Sequence, residues 1–148
     1  MKSNGKRRFL FSLLNILIPI LIGGISYYIF SPEVIFVRKI DEISGLFLHV
    51  DVSENPLLIL IGDFAYDALW AYALLFAVYL ILGNENRHIV ISLAVAFVFS
   101  TGMECLQTTS IFPGTFDVLD IAIQAFAELI AVFINLKKYG GIAYEKDG

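Results

Sequence analysis

The chain has 148 residues, 58% of them hydrophobic and 16% charged, with a mean hydropathy of +0.79 and a formal net charge of −4. Soluble domains run at about 45–50% apolar and about 25% charged, so this composition is displaced toward lipid on both counts. It supplies no basic surface for nucleic acid; its single cysteine, Cys105, excludes an internal disulfide, and with two histidines it also excludes the usual four-ligand Cys/His zinc site.

At this length one domain, 1–148, is expected. Lys2, Lys6, Arg7 and Arg8 open the chain, and the stretch from Phe9 to Phe30 carries no charge. A helix of about 20 apolar residues crosses a bilayer, which makes 9–30 the first predicted span. A secretory signal would have an apolar core of about 7–15 residues and a small-residue cleavage site. Here the run is longer and ends in Tyr27-Tyr28-Ile29-Phe30, so a retained span with interfacial tyrosines is expected. Pro19 and Gly23-Gly24 are expected to bend this helix or to admit a close neighbour. Beyond Ser31-Pro32-Glu33, Phe36, Ile40, Ile43 and Phe47 recur at helical spacing, opposite Arg38, Lys39, Asp41 and Glu42. That pattern over Glu33 to Phe47 predicts an amphipathic helix, lying in the membrane interface or capping the bundle. Asp51 to Pro56 reads as a polar linker.

The second hydrophobic block, Leu57 to Leu82, is interrupted by Asp63 and Asp67. Its charge-free part is short, so the second span is placed at about 64–82 with the acids at its mouth. Gly83-Asn84-Glu85-Asn86-Arg87-His88 is a polar turn, and the third span follows at about 89–106. Pro113-Gly114 signals a turn before the fourth span, about 118–136, which Lys137-Lys138 close. The predicted fold is therefore all-α, an integral membrane bundle of four transmembrane helices with an interfacial amphipathic helix after the first span. With the N-terminus in the cytoplasm, all of the ten basic residues except Arg38 and Lys39 fall on the inner side, and both termini lie there.

This topology delivers acids from three segments to the outer level of the membrane. Asp63 and Asp67 precede the second span, Glu104 and Gln107 end the third, and Asp117 and Asp120 begin the fourth. Asp117, Asp120, Gln124 and Glu128 share a helix face by spacing, as do Glu104 and Gln107. Glu128 lies about 12 Å deeper than Asp120 at 1.5 Å per residue, where a carboxyl is expected to be protonated, hydrogen-bonded or ligand-bound. The candidate ligand-binding set is Asp67, Glu104, Gln107, Asp117, Asp120, Gln124 and Glu128, around a pocket that opens outward. Each member has an ordinary alternative. Asp117 and Asp120 suit a helix start, and Glu104 and Gln107 suit interhelical hydrogen bonding. Asp63 suits a wet loop, Trp70 and Tyr72 an interfacial belt, and Cys105 a small buried position. His49 and His88 are assigned no chemistry.

Glu104-Cys105-Leu106-Gln107, then Asp117-Val118-Leu119-Asp120, then Gln124 and Ala127, resembles the VanZ-like family of small bacterial membrane proteins. The hallmark of that family is Glu-x-x-Gln near the end of one span and Asp-x-x-Asp opening the next, followed by an amide and a small residue. Asp67-Ala68-Leu69-Trp70 is similar to an Asp-x-Leu-Trp element of some members. The resemblance covers about half the chain, Asp63 to Ala131. Gly114-Thr115 stands where many members carry an Arg, Gln124 where Asn is usual, and Ala127 where Gly is usual. The resemblance implies a bacterial cytoplasmic-membrane location and a role at the envelope; the namesake is associated with resistance to glycopeptides of the teicoplanin type.

The expected function is binding of a polar envelope ligand: a lipid-linked sugar, a lipid headgroup or a glycopeptide antibiotic. One alternative is a structural or partner-assisting bundle with no ligand. Another is a carboxylate-based enzyme acting on a lipid-linked substrate, although no other nucleophile is evident. Ion movement along Asp120 and Glu128 would require an oligomer, since four spans are few for a transporter. No soluble cofactor, metal or nucleic-acid partner is expected; the bilayer is.

Overall fold

The computed structural model describes residues 2–50, 55–83, 86–109 and 116–139. The linker at 51–54, the turn residues 84–85 and the Pro113-Gly114 signal lie outside the described residues. Among the described residues there are five helices: α1 (Lys2–Phe30), α2 (Ile35–Ser44), α3 (Pro56–Leu82), α4 (Asn86–Gln107) and α5 (Val118–Tyr139). All but α2 are long and apolar enough to cross a membrane. The chain is an all-α, multi-pass membrane bundle.

The second span is longer than its sequence suggests. Helix α3 begins at Pro56, not near residue 64, so Asp63 and Asp67 sit within the helix rather than at its mouth, and Asp63 is not a loop residue. The reason is local. The Asn55 side chain accepts the Leu57 backbone N–H at 3.0 Å, and proline occupies the first turn, where a missing N–H costs nothing. Two acids do not break a helix started so firmly.

Helix α3 is the axis of the bundle. It packs on α1, α4 and α5, and α4 also packs on α5, whereas α1 and α4 make no extended contact. Between lipid-solvated helices the hydrophobic effect supplies little association, so shape and hydrogen bonds decide. The core is Leu75, Phe76 and Tyr79 of α3 against Ala96 of α4 and Ala131 of α5, all buried. The two alanines let α4 and α5 approach closely. Phe11 of α1 meets Phe76 edge-on at 5.8 Å and Tyr139 of α5 at 5.4 Å. Arg8 lies 5.1 Å over the Tyr139 ring, which ties the start of α1 to the end of α5 on one side of the bundle. Pro19 does not interrupt α1. Two glycines admit the close approach of α1 and α3: a Cβ at Gly62 would stand 3.3 Å from Phe30 Cβ, and one at Gly23 3.6 Å from Leu69 Cβ and 3.8 Å from Tyr66 Cα.

Helix α2 is shorter than the predicted Glu33–Phe47, because Gly45 ends it in a left-handed conformation at φ 67°, its N–H donating to Asp41 O at 2.8 Å. It makes no extended packing with the spans, and Phe36 and Ile43 are 66% and 87% exposed, which suits a membrane interface better than a cap on the bundle. Its buried residues are Val37 and Asp41. The Tyr28 hydroxyl donates to Asp41 Oδ1 at 2.6 Å and also lies 2.7 Å from the Leu46 carbonyl. His49 bridges Asp41 Oδ2 at 2.8 Å and the Tyr28 carbonyl at 3.1 Å. This latch gives His49 a role that sequence reading did not assign.

The Tyr28 hydrogen bond, aided by the His49 bond and charge against the opposing effect of burial, holds the Asp41 carboxyl below its ordinary value of 3.8. A depressed carboxyl stabilises fully above its unfolded value and loses that contribution only as pH falls through the folded one. Hydrogen exchange at 45–50 is therefore expected to show no Asp41-linked change between about pH 7 and about pH 4, and to rise in stronger acid. Asp41→Ala should release the segment across the whole range; unchanged protection in that variant would remove the latch.

Candidate functional site

The halves of the spans farther from the N-terminal end of α1 line a cavity of about 380 Å³. Helix α1 contributes Pro19, Ile20, Gly23, Gly24 and Tyr27. Helix α3 contributes Tyr66, Asp67 and Trp70; α4 contributes Met103, Glu104 and Gln107; α5 contributes Gln124. The separation of α1 from α4 creates the space, and the small faces of Gly23 and Gly24 keep it open.

Glu104 is the centre of the polar wall and only 2% exposed. Its Oε1 accepts the Gln124 amide at 2.9 Å across the α4–α5 interface and the Gln107 amide at 3.4 Å along its own helix. One oxygen therefore takes both amides. Glu104 Oε2 and Gln124 Oε1 have no hydrogen-bond partner among the described residues, and both are buried. Asp67 interacts with Gln124 and is near enough to Glu104 and Asp120 to feel their charge. The only ion pair among the described residues is His49–Asp41, so no cation offsets these acids there. A buried acceptor without a donor carries its desolvation cost uncompensated, about 1–3 kcal/mol. Glu104 and Gln124 both line the cavity, and a side-chain rotation would turn these covered acceptors toward whatever enters it.

The structure brings together Asp67, Glu104, Gln107 and Gln124, with Asp120 half-buried and adjacent. It does not bring in the other two candidates. Asp117 precedes α5 and is exposed; its Oδ1 accepts the Leu119 N–H at 2.8 Å, the capping role. Glu128 is fully buried but does not line this cavity. It takes a hydrogen bond from Ser100 Oγ at 3.0 Å, and its Oε2 has no partner among the described residues. The predicted shared face of α5 holds for Gln124 and Glu128 and continues through Ala131 and Asn135.

Several residues were not foreseen. Trp70 lines the cavity and stacks on Phe99 at 6.0 Å, beyond its expected belt role. Tyr27 and Tyr66 meet edge-on at 5.2 Å in the cavity wall. Ser100 lies one turn before Glu104, a spacing that could have pointed to it. Cys105 is exposed, not buried, because it faces away from the Glu104 side of α4. Among the described residues no three His, Cys, Asp or Glu side chains are grouped to hold a metal ion. Comparison of the chain with protein-family profiles, with curated proteins and with solved structures gave no match in any of the three.

Proposed function

We propose that the chain is a VanZ-like protein of the bacterial cytoplasmic membrane, with both termini in the cytoplasm, that binds a polar envelope ligand in the cavity between α1, α3, α4 and α5. The ligand class is a lipid-linked sugar, a lipid headgroup or a glycopeptide, and the role is envelope maintenance or resistance. One observation carries the reading: Glu104 Oε2 and Gln124 Oε1 are buried, unpartnered acceptors at a cavity of about 380 Å³. Rotation of the two side chains into the cavity would bring these acceptors to hydrogen-bond donors on a ligand. The cavity lining contains carboxyls and amides but no Lys, Arg or His, which favours amines and hydroxyls over phosphates. The basic residues at the termini support the orientation.

A second reading has its own observation. The Gln124–Glu104 bond at 2.9 Å joins α4 to α5 and would serve a bundle with no ligand. Thermal unfolding of the detergent-purified protein, scanned against divalent cations, envelope lipids and glycopeptides, separates the two. A ligand at about 100 times its Kd should stabilise the native chain by about 2.7 kcal/mol. Glu104→Gln/Asp120→Asn should remain folded and lose that stabilisation. An equal shift in the double variant, or no shift with any ligand, would hand the site to the structural reading.

A further inference from the structure

The inference here rests on reading the cavity as a ligand site and concerns where the ligand comes from. We propose that the cavity is filled sideways from the membrane, through the gap between α1 and α4, by a glycolipid whose sugar lies against Glu104 and Gln124 and whose hydrocarbon lies along α4.

The gap is the first observation. Helices α1 and α4 flank α3 without extended mutual packing, and the cavity reaches both of them. An opening bounded by two membrane-crossing helices faces hydrocarbon. Gly24 is at that opening: a Cβ built on it meets nothing within 4 Å, in contrast to Gly23, which is packed on α3.

The second observation is a continuous apolar track. A shallow apolar groove lies along one face of α4 alone, from Val90 to Leu106, and includes Val95, Val98, Phe99, Gly102 and Met103. Met103 borders both the groove and the cavity. From Val90 to Leu106 the track is about 24 Å long at 1.5 Å per residue, more than the roughly 15 Å depth of one leaflet's hydrocarbon, so it can run beside an acyl chain over that whole depth. An acyl chain on this face would have its head end beside Glu104.

The third observation is the chemistry of the head. The unpartnered acceptors, Glu104 Oε2 and Gln124 Oε1, call for donors, and both residues are only 2% exposed. Asp67 and Glu104 would repel a phosphate placed against them. The remaining walls include Tyr27, Tyr66 and Trp70. A hexose presents an apolar C–H face to aromatic rings and a rim of hydroxyls to acceptors, so it matches both kinds of wall. A soluble ligand would explain the acceptors but leave the track on α4 unused.

The test uses the full chain in a polyoxyethylene detergent, whose head offers no rim of hydroxyls. Three probes are titrated: monoglucosyl diacylglycerol, the same diacylglycerol without sugar, and methyl β-glucoside without a tail. Melting temperature and the emission of Trp70, the chain's one tryptophan, are read together. The glucolipid should raise the melting temperature and shift the emission at concentrations where the other two do neither. Gly24→Leu should melt like the native chain yet need at least about ten times more glucolipid, about 1.4 kcal/mol. Gly102→Leu, which likewise meets nothing within 4 Å, is the second blocking variant, placed on the track itself. Equal action of methyl glucoside, with Gly24→Leu and Gly102→Leu responding as native, overturns entry from the membrane and leaves the cavity as a site. Equal action of the sugar-free diacylglycerol reduces the effect to general lipid solvation and overturns the proposal. Failure of the glucolipid where a soluble ligand stabilises the protein overturns the glycolipid alone; failure of every ligand overturns the cavity reading as well.

Discussion

Gly23→Leu is expected to destabilise the bundle by about 1–3 kcal/mol, while Gly23→Ala and Gly24→Leu leave its melting temperature nearly unchanged. The two glycines are adjacent in sequence and opposite in environment. A Cβ at Gly23 would sit 3.6 Å from Leu69 Cβ and 3.8 Å from Tyr66 O, ordinary van der Waals contact that alanine can make without displacing anything. Leucine extends past that point into α3. The added carbons have to push α1 from the helix it packs on, and the Tyr27–Tyr66 pair one turn away moves with it. At Gly24 the same side chain enters open space. Thermal unfolding in detergent checks the series. Equal loss for both leucine variants would mean that helix-wide effects, not local approach, set the cost.

The same two glycines show what sequence reading could and could not reach. Charge-free length places four spans, and the convergence of separate segments at one level, with shared helix faces, groups Glu104, Gln107 and Gln124. What failed was anything dependent on rotation about a helix axis. Gly23 and Gly24 are indistinguishable in sequence, yet one contacts α3 and the other opens to lipid. Asp117 has the spacing to share a face with Asp120 and Gln124, but it precedes the first turn of α5, where the backbone claims its carboxylate. Asp63 and Asp67 alone place the start of the second span late, whereas the cap at Asn55 starts the helix at Pro56. The Tyr28–Asp41–His49 latch joins residues whose side-chain directions are set only when α2 folds back at Gly45, so no local pattern announces it. Trp70 was assigned to the interfacial belt because an aromatic near a span end is ordinarily there; that it also walls a cavity follows from the distance kept between α1 and α4.

Ser100→Ala is expected to cost about 1–2 kcal/mol, at the upper end of interhelical hydrogen bonds in membranes, and Glu128→Leu to cost nothing or to stabilise. The asymmetry comes from who is left unpartnered. Removing the Ser100 hydroxyl strips Glu128 Oε1 of its 3.0 Å donor when Oε2 already has none among the described residues, so a fully buried carboxyl loses the donor shown for it. Removing the carboxyl frees the Ser100 hydroxyl to donate to the Phe97 carbonyl, 3.2 Å away, and leucine fills a similar volume. Replacing a poorly paired buried acid with a packed apolar residue is commonly neutral or favourable. Ser100→Ala/Glu128→Leu should therefore regain what Ser100→Ala alone loses, a coupling that a double-mutant cycle in thermal unfolding measures. If Glu128→Leu instead destabilises by more than about 2 kcal/mol, the carboxyl has a stabilising partner, such as a bound water, that its distance to Ser100 does not account for. If it stabilises, the acid is kept against the interests of the fold. Glu128 lies off the cavity, so the ligand response of that variant then decides between two roles. A normal response would separate Glu128 from the Glu104–Gln124 site, and a lost one would join them through the shared face of α5.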